Sequence, residues 1–390
     1  MREIEYRPRN IRETLVELKD SSELAVDLAY SAVLFDNREL ANEVIELESR
    51  ANYLQYHARI ALMLAAKNTT DAERLVGIFQ MVDGAVAITE AAADIARIPS
   101  RDLGIPAAFR ALPDAHEQFV RGEIASASPL SGRTLDDLEL DVDEAVRVIA
   151  IRRDQTWIFS PDGDDQLLDG DVVFARGPEE GAAEFYEAAT GDTYEPPEKA
   201  DADEDIERAV ETLVELKNVS ELAIGLSYSA ALYDSDAIAG EVQVLEHRSD
   251  ELREELEQWV VSAAERGGEA DGNRLRGLFH VAVAAEVISD AALDIAEVVF
   301  RDVDLHPVFA QAISESQEVI TSVEVGEGEL LGMTVSYLEH EVETGMTLLA
   351  LHREDGWLYD PSPEVTIRAG DRLVLKGPER GEKRIRRLAG

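Results

Sequence analysis

The 390-residue chain carries 81 Asp and Glu against 37 Lys and Arg, a formal net charge of -44, and no cysteine. So acidic a surface repels nucleic acid and anionic membranes, and without Cys there are no disulfides, thiolate metal sites or thiol nucleophiles. Hydrophobic residues make up an ordinary 45%, and only six of the cations are lysine (Lys19, Lys67, Lys199, Lys217, Lys376, Lys383). That balance fits a folded protein of a salt-accumulating halophile, in which acidic clusters are not metal sites on charge alone. Met1-Arg2-Glu3-Ile4-Glu5 lacks the apolar core of a signal peptide, and stretches such as Ile60 to Ala66 are too short to span a bilayer. The expectation is a soluble cytoplasmic chain with no membrane insertion.

In chain order, the first hundred residues read as helix. Leu15, Leu18, Leu24, Leu28, Ala32 and Phe35 form one apolar stripe, Leu40 to Leu62 a second and Leu75 to Ala96 a third. Asn68-Thr69-Thr70 gives a turn before the third helix and Pro99 ends it. Such helices predict an antiparallel three-helix unit over residues 1–100. A short helix at Ala107 to Ala115 is expected next. Strand-type runs follow at Phe119–Ile124, Val146–Ile151, Trp157–Phe159 and Val172–Ala175, with short helices at Thr134–Leu138 and Glu179–Ala189. Residues 107–190 thus read as a small α+β domain, and 191–205, with Glu195-Pro196-Pro197-Glu198, as an acidic linker.

The pattern then returns. Leu15 to Glu48 recurs at Leu213 to Glu246, displaced by 198 residues, and from Arg101 onward the displacement is 200 with no gap through Arg176-Gly177-Pro178. A second helical unit is expected at 206–300, with turns at Gly267-Gly268 and Asp271-Gly272-Asn273, and a second α+β domain at 307–390.

Ser128-Pro129-Leu130-Ser131-Gly132-Arg133-Thr134, Val148-Ile149-Ala150-Ile151-Arg152-Arg153, Pro161 and Leu168-Asp169-Gly170-Asp171-Val172 are specific in combination. They resemble the C-terminal ligand-binding (RCK_C) domain of TrkA-type regulators of potassium conductance. The second copy keeps Leu331-Gly332-Met333-Thr334, His352-Arg353 and Gly370-Asp371, departing at Met333 (Arg133) and His352 (Arg152). The helical part resembles a PhoU repeat through Ser22-Glu23-Leu24-Ala25, Leu28 to Ala32 and Ile88 to Ala96. The fold class expected is α+β multidomain: a three-helix PhoU-like bundle followed by an RCK_C domain, the pair occurring twice, of haloarchaeal type.

The PhoU resemblance implies divalent metal on carboxylates four apart, which share a helix face. Glu90/Asp94, Asp290/Asp294 with Glu286, and Glu246/Asp250 have that spacing. Solvated carboxylates of a halophile surface are the competing reading. The TrkA resemblance implies a small ligand, cyclic di-AMP in some members, between two such domains. Arg152, Arg153, His352 and Arg353 at equivalent strand ends are its candidate binders, against a reading in which they tie down local carboxylates. Trp157 and Trp357 are core anchors or stacking partners. Scattered His, and no phosphate-cradling loop or nucleophile elbow, argue against an enzyme.

The resulting expectation is an intramolecular pseudo-dimer, its two RCK_C domains paired, with further association into a homo-oligomer left open. It regulates potassium or another cation through a transporter or channel subunit on a separate chain. The alternative is a metal-binding PhoU-type regulator of phosphate uptake; a metal-assisted hydrolase is a third reading without a motif.

Overall fold

A computed structural model describes residues 9–34, 37–99, 118–138, 140, 146–154, 156–159, 161–194, 204–233, 235–266, 269–301, 319–326, 328–340, 342, 344–353, 356–359, 361, 364–377 and 379–390. The expected helix at Ala107 to Ala115, the loop Asp141 to Glu144, the Pro196-Pro197 part of the linker and the Gly267-Gly268 turn lie outside them.

The three apolar stripes become α1 (Ile11–Leu34), α2 (Arg38–Ala65) and α3 (Thr69–Ala96). Asn37 starts α2, its Oδ1 accepting the N–H groups of Glu39 and Leu40 at 2.9 and 3.1 Å. That satisfies two donors the first turn leaves open. The second unit comprises α6 (Glu204–Tyr233), α7 (Asp236–Arg266) and α8 (Glu269–Ala296). Asp271-Gly272-Asn273, expected as a turn, is helical, because near a helix N-terminus Asp is favoured and Gly costs little beside the continuing apolar face. By length and composition alone, α3 over Ala72–Ala96 is apolar enough to cross a membrane, unlike the stretches singled out in the sequence. Here that apolarity is used in packing, since α3 lies against α1, α2 and α8.

The two bundles join through α3 against α8 and α1 against α6, forming one continuous hydrophobic core. Gly84 permits the first contact: a Cβ there would lie 2.6 Å from Ile295 Cγ1 and 3.2 Å from the Ala291 carbonyl. Where α1 meets α6 the contact is reciprocal. Ser22 Oγ lies 3.0 Å from Tyr228 OH, and Tyr30, the counterpart of Tyr228, faces Ser220, the counterpart of Ser22. Residue i meeting j while j meets i marks a local two-fold relation.

Between the bundles in sequence come β1 (Gln118–Glu123), α4 (Leu135–Leu138), β2 (Arg147–Arg153), β3 (Thr156–Phe159), β4 (Val172–Gly177) and α5 (Glu179–Thr190). After the second bundle come β5 (Val319–Glu324), α9 (Val335–His340), β6 (Thr347–Arg353), β7 (Gly356–Tyr359), β8 (Arg372–Gly377) and α10 (Glu379–Ala389). Each set forms an antiparallel four-stranded sheet, in orders β1-β4-β2-β3 and β5-β8-β6-β7. The turns are set alike: Gly132, Gly170, Gly332 and Gly370 have φ near +82 to +85°, a region open to Gly without steric cost.

Each sheet is buried on both faces. Phe119, Ala150, Val172 and Phe174 of the first, and Ala350 and Val374 of the second, join the helical core. The opposite faces pack Val120, Val173 and Ala175 under Phe185 of α5, and Val323, Leu373 and Leu375 under Ile385 of α10. The sheets therefore sit on the helical core, and no pairing of one sheet domain with the other is among the main packing contacts.

The gap-free displacement of 200 also fails locally. Gln118 pairs with Gly177, whereas Val319 pairs with Gly377, so β5 matches β1 at a displacement of 201. A one-residue shift exchanges the faces of a strand. Ser322, not Thr321, thus occupies the place of Arg121, and the turn before Leu330 is one residue shorter.

Candidate functional site

At the seam between the first sheet and its bundle, two arginines of the sheet converge on one buried carboxylate of α2. Glu43, 4% exposed on α2, accepts from Arg152 Nε at 3.1 Å and Nη2 at 2.8 Å, and from Arg121 Nε at 3.0 Å. Arg121 also reaches Glu39 at 3.2 Å. Arg152 comes from β2 and Arg121 from the edge strand β1, so two strands converge on one helix position. The Arg152 guanidinium lies 6.0 Å from the ring centroid of Trp157. Trp157 stacks on Phe174 at 5.2 Å and packs against the helical core, an anchor at the domain seam. In the second sheet Ser322 and His352 replace the two arginines, and Arg372 of β8 instead pairs with Glu241 of α7. The Arg372 side chain is 38% exposed, about twice as much as Arg121 and Arg152 at the first seam.

Arg153 and Arg353 point elsewhere. Arg153 donates to both oxygens of Asp171 at 2.8 and 2.7 Å and to the Gln166 carbonyl at 2.7 Å. Arg353 holds Asp371 at 2.8 and 2.9 Å. Asp171, 1% exposed, also accepts the Leu168 N–H at 2.8 Å. A buried carboxylate so paired is stable only with its partner present. His352 stands opposite Trp357 in the backbone register of β6 and β7.

The structure places the carboxylates expected to bind metal in two surroundings. In the first bundle Glu90 is exposed, and Asp94 accepts from Arg97 at 3.0 Å while Arg97 also reaches Glu48. A cation already fills that corner. In the second bundle Glu297 stands where Arg97 would be, and the Asp290 carboxyl is pushed up by partial burial and then by Asp250 and Asp294. Glu286 pairs with Arg253 at 3.4 Å, and Glu246 with His247 at 2.8 Å. Among the described residues no group of three or more His, Asp or Glu is arranged to hold a metal ion.

A third constellation is not anticipated by the sequence. Where α1 meets α6, Asp27 faces Glu221, which is paired with Lys217 and lies near Arg176 of β4. Burial, then the charge of Glu221, raises Asp27 to about 7. Burial also pushes Glu221 up, but Lys217, Asp27 and Arg176 together hold it below the usual range, so the proton resides on Asp27. On the other side Asp20 is raised to about 6 by burial, beside Lys19, Glu23 and Lys376 of β8. Three of the six lysines thus stand at this junction. That scarcity, together with Lys19 and Lys217 occupying equivalent positions, is the signal that points to it.

The folded elements define a class: helical bundles carrying small antiparallel α+β domains. The TrkA-C domain family matches residues 120–190 and 320–390, and the PhoU domain family matches 213–299. The chain is therefore a protein with two TrkA-C domains and a PhoU domain. The expectation of a PhoU–TrkA-C pair occurring twice is corrected by these matches. The order is an N-terminal three-helix bundle, TrkA-C, PhoU bundle, TrkA-C. The apolar stripes of the two bundles agree, but polar positions differ, including Asn52 for Asp250, Arg97 for Glu297 and Asp27 for Gly225.

Among solved structures, PhoU from Pseudomonas aeruginosa is similar at 11% identity and a TM-score of 0.43, covering 74% of this chain and 93% of that one. The GsuK channel bound to NAD is similar at 12% identity and a TM-score of 0.20, covering 80% and 65%. The GsuK RCK domain follows at 11% and 0.19, covering 78% of each. No curated protein matches.

Proposed function

We propose that this chain is a non-enzymatic regulator of a membrane ion transport system supplied by another chain, with potassium or another cation as the transported ion. The observation that carries the reading is the combination of two TrkA-C domains and a PhoU domain in one polypeptide. The seam at Glu43 supplies a means of response. A phosphate-bearing ligand such as cyclic di-AMP, if recognised by Arg152, competes with Glu43 for the same guanidinium. Ligand binding and docking of the first sheet on α2 then exclude one another, and the ligand shifts the docking equilibrium by its differential affinity.

Calorimetry with cyclic di-AMP at high salt tests the ligand. Heat from the native chain, with several-fold tighter binding in Glu43→Gln, is the expected result. No heat from either protein removes the nucleotide from the account. The second reading, regulation of phosphate uptake through metal on the PhoU bundle, is favoured by the crowding of Asp290 with Asp250 and Asp294. Stoichiometric manganese lost in Asp290→Ala supports it.

A further inference from the structure

The helices α5 and α10 occupy equivalent places, and at equivalent positions their charges are opposite. Glu180, Glu184 and Glu187 of α5 correspond to Arg380, Arg384 and Arg387 of α10, each pair 200 residues apart. Positions i, i+4 and i+7 lie along one helix stripe. It lies opposite the stripe that buries Ala182, Phe185 and Ala189 in α5, and Ile385 and Ala389 in α10. Glu180, Glu184, Glu187, Arg384 and Arg387 are all exposed. Lys383 and Arg386 add to the basic face, where Arg386 also holds Glu382 at 2.8 Å. Five of the 37 cations of the chain fall within residues 380–387, while α5 has four glutamates and no cation.

We propose that α10 docks on α5 of a second copy of this chain. Three arguments favour that occupant. Charge reversals at three matched helix positions give α5 and α10 faces of opposite sign, which attract each other and repel their own kind. Among the described residues α5 against α10 is not one of the main packing contacts within one molecule, each sheet domain being held on the helical core by its other side. Elsewhere a surface of net charge -44 repels its copy, so the basic helix is where attraction is available. In about 1 M salt the Debye length is roughly 3 Å, which suppresses the overall repulsion and leaves only contact pairs.

Sedimentation of the full chain over a concentration series up to about 100 µM tests this. The native chain is expected to associate. Reversing Arg380, Arg384 and Arg387 to Glu, or Glu180, Glu184 and Glu187 to Arg, is expected to weaken association at least tenfold, with circular dichroism unchanged. A chain carrying all six reversals is expected to associate again, which loss of folding cannot mimic. A native chain that stays monomeric throughout, or six reversals without recovery, overturns the proposal. So does binding to anionic phospholipid vesicles that the α10 reversals abolish while the α5 reversals leave the sedimentation unchanged.

Discussion

Asp27 holds its proton up to about pH 7 in the folded chain, because burial and the neighbouring Glu221 disfavour its charged form. Unfolded, the same carboxyl releases its proton near 3.8. Between these values the folded state binds more protons, so this group's contribution to stability falls as pH rises through that window. Asp20, raised to about 6, adds the same sign. Asp27→Asn keeps the hydrogen bonding and removes the titration. Chemical unfolding at fixed salt should show the native chain losing about 2 kcal/mol relative to Asp27→Asn between pH 5 and 8. A difference independent of pH contradicts the assignment. Little of this junction is legible in the sequence, where Glu221 and Asp27 stand 194 residues apart. Arg153 and Arg353 are visible as a recurring pair, but Asp171, the partner of Arg153, reads as an ordinary turn residue until β2 and β4 are placed side by side.

The elements themselves were largely readable. Helix and strand periods, the turn glycines and Pro99 mark them to within a few residues, because local sequence decides them. The face each strand presents was not readable where β5 is offset by one residue, since that depends on a loop shortened far from any motif. The unequal seams carry a prediction at this scale. Glu43→Ala leaves Arg121 and Arg152 without their shared partner and should cost about 2 kcal/mol or more. Glu241→Ala opposes a more exposed arginine and should cost about 1 kcal/mol or less. Hydrogen exchange should therefore show β1 and β2 losing more protection in the first variant than β5 and β6 do in the second. At the bundle contact, Gly84→Val forces a branched side chain against Ile295 and the Ala291 carbonyl. It should destabilise the chain by roughly 1–3 kcal/mol, measured by urea unfolding.

For the whole molecule, the duplication in the sequence becomes two sheet domains carried on a joined helical core, with the bundles in direct contact. Sequence similarity between the halves cannot show which copies touch. The reciprocal Ser22–Tyr228 and Tyr30–Ser220 contacts settle it for the helices. The charge of -44 makes the fold sensitive to salt. Thermal unfolding should move upward as salt rises from about 0.1 to 1 M, as the Debye length shortens from roughly 10 to 3 Å. A midpoint insensitive to salt contradicts that. Regulation of ion transport is tested most directly by radioactive rubidium and phosphate uptake in cells lacking the chain, compared with the same cells after its return. The account predicts that rubidium uptake changes on loss and is restored with the chain, while unchanged uptake of both ions contradicts it.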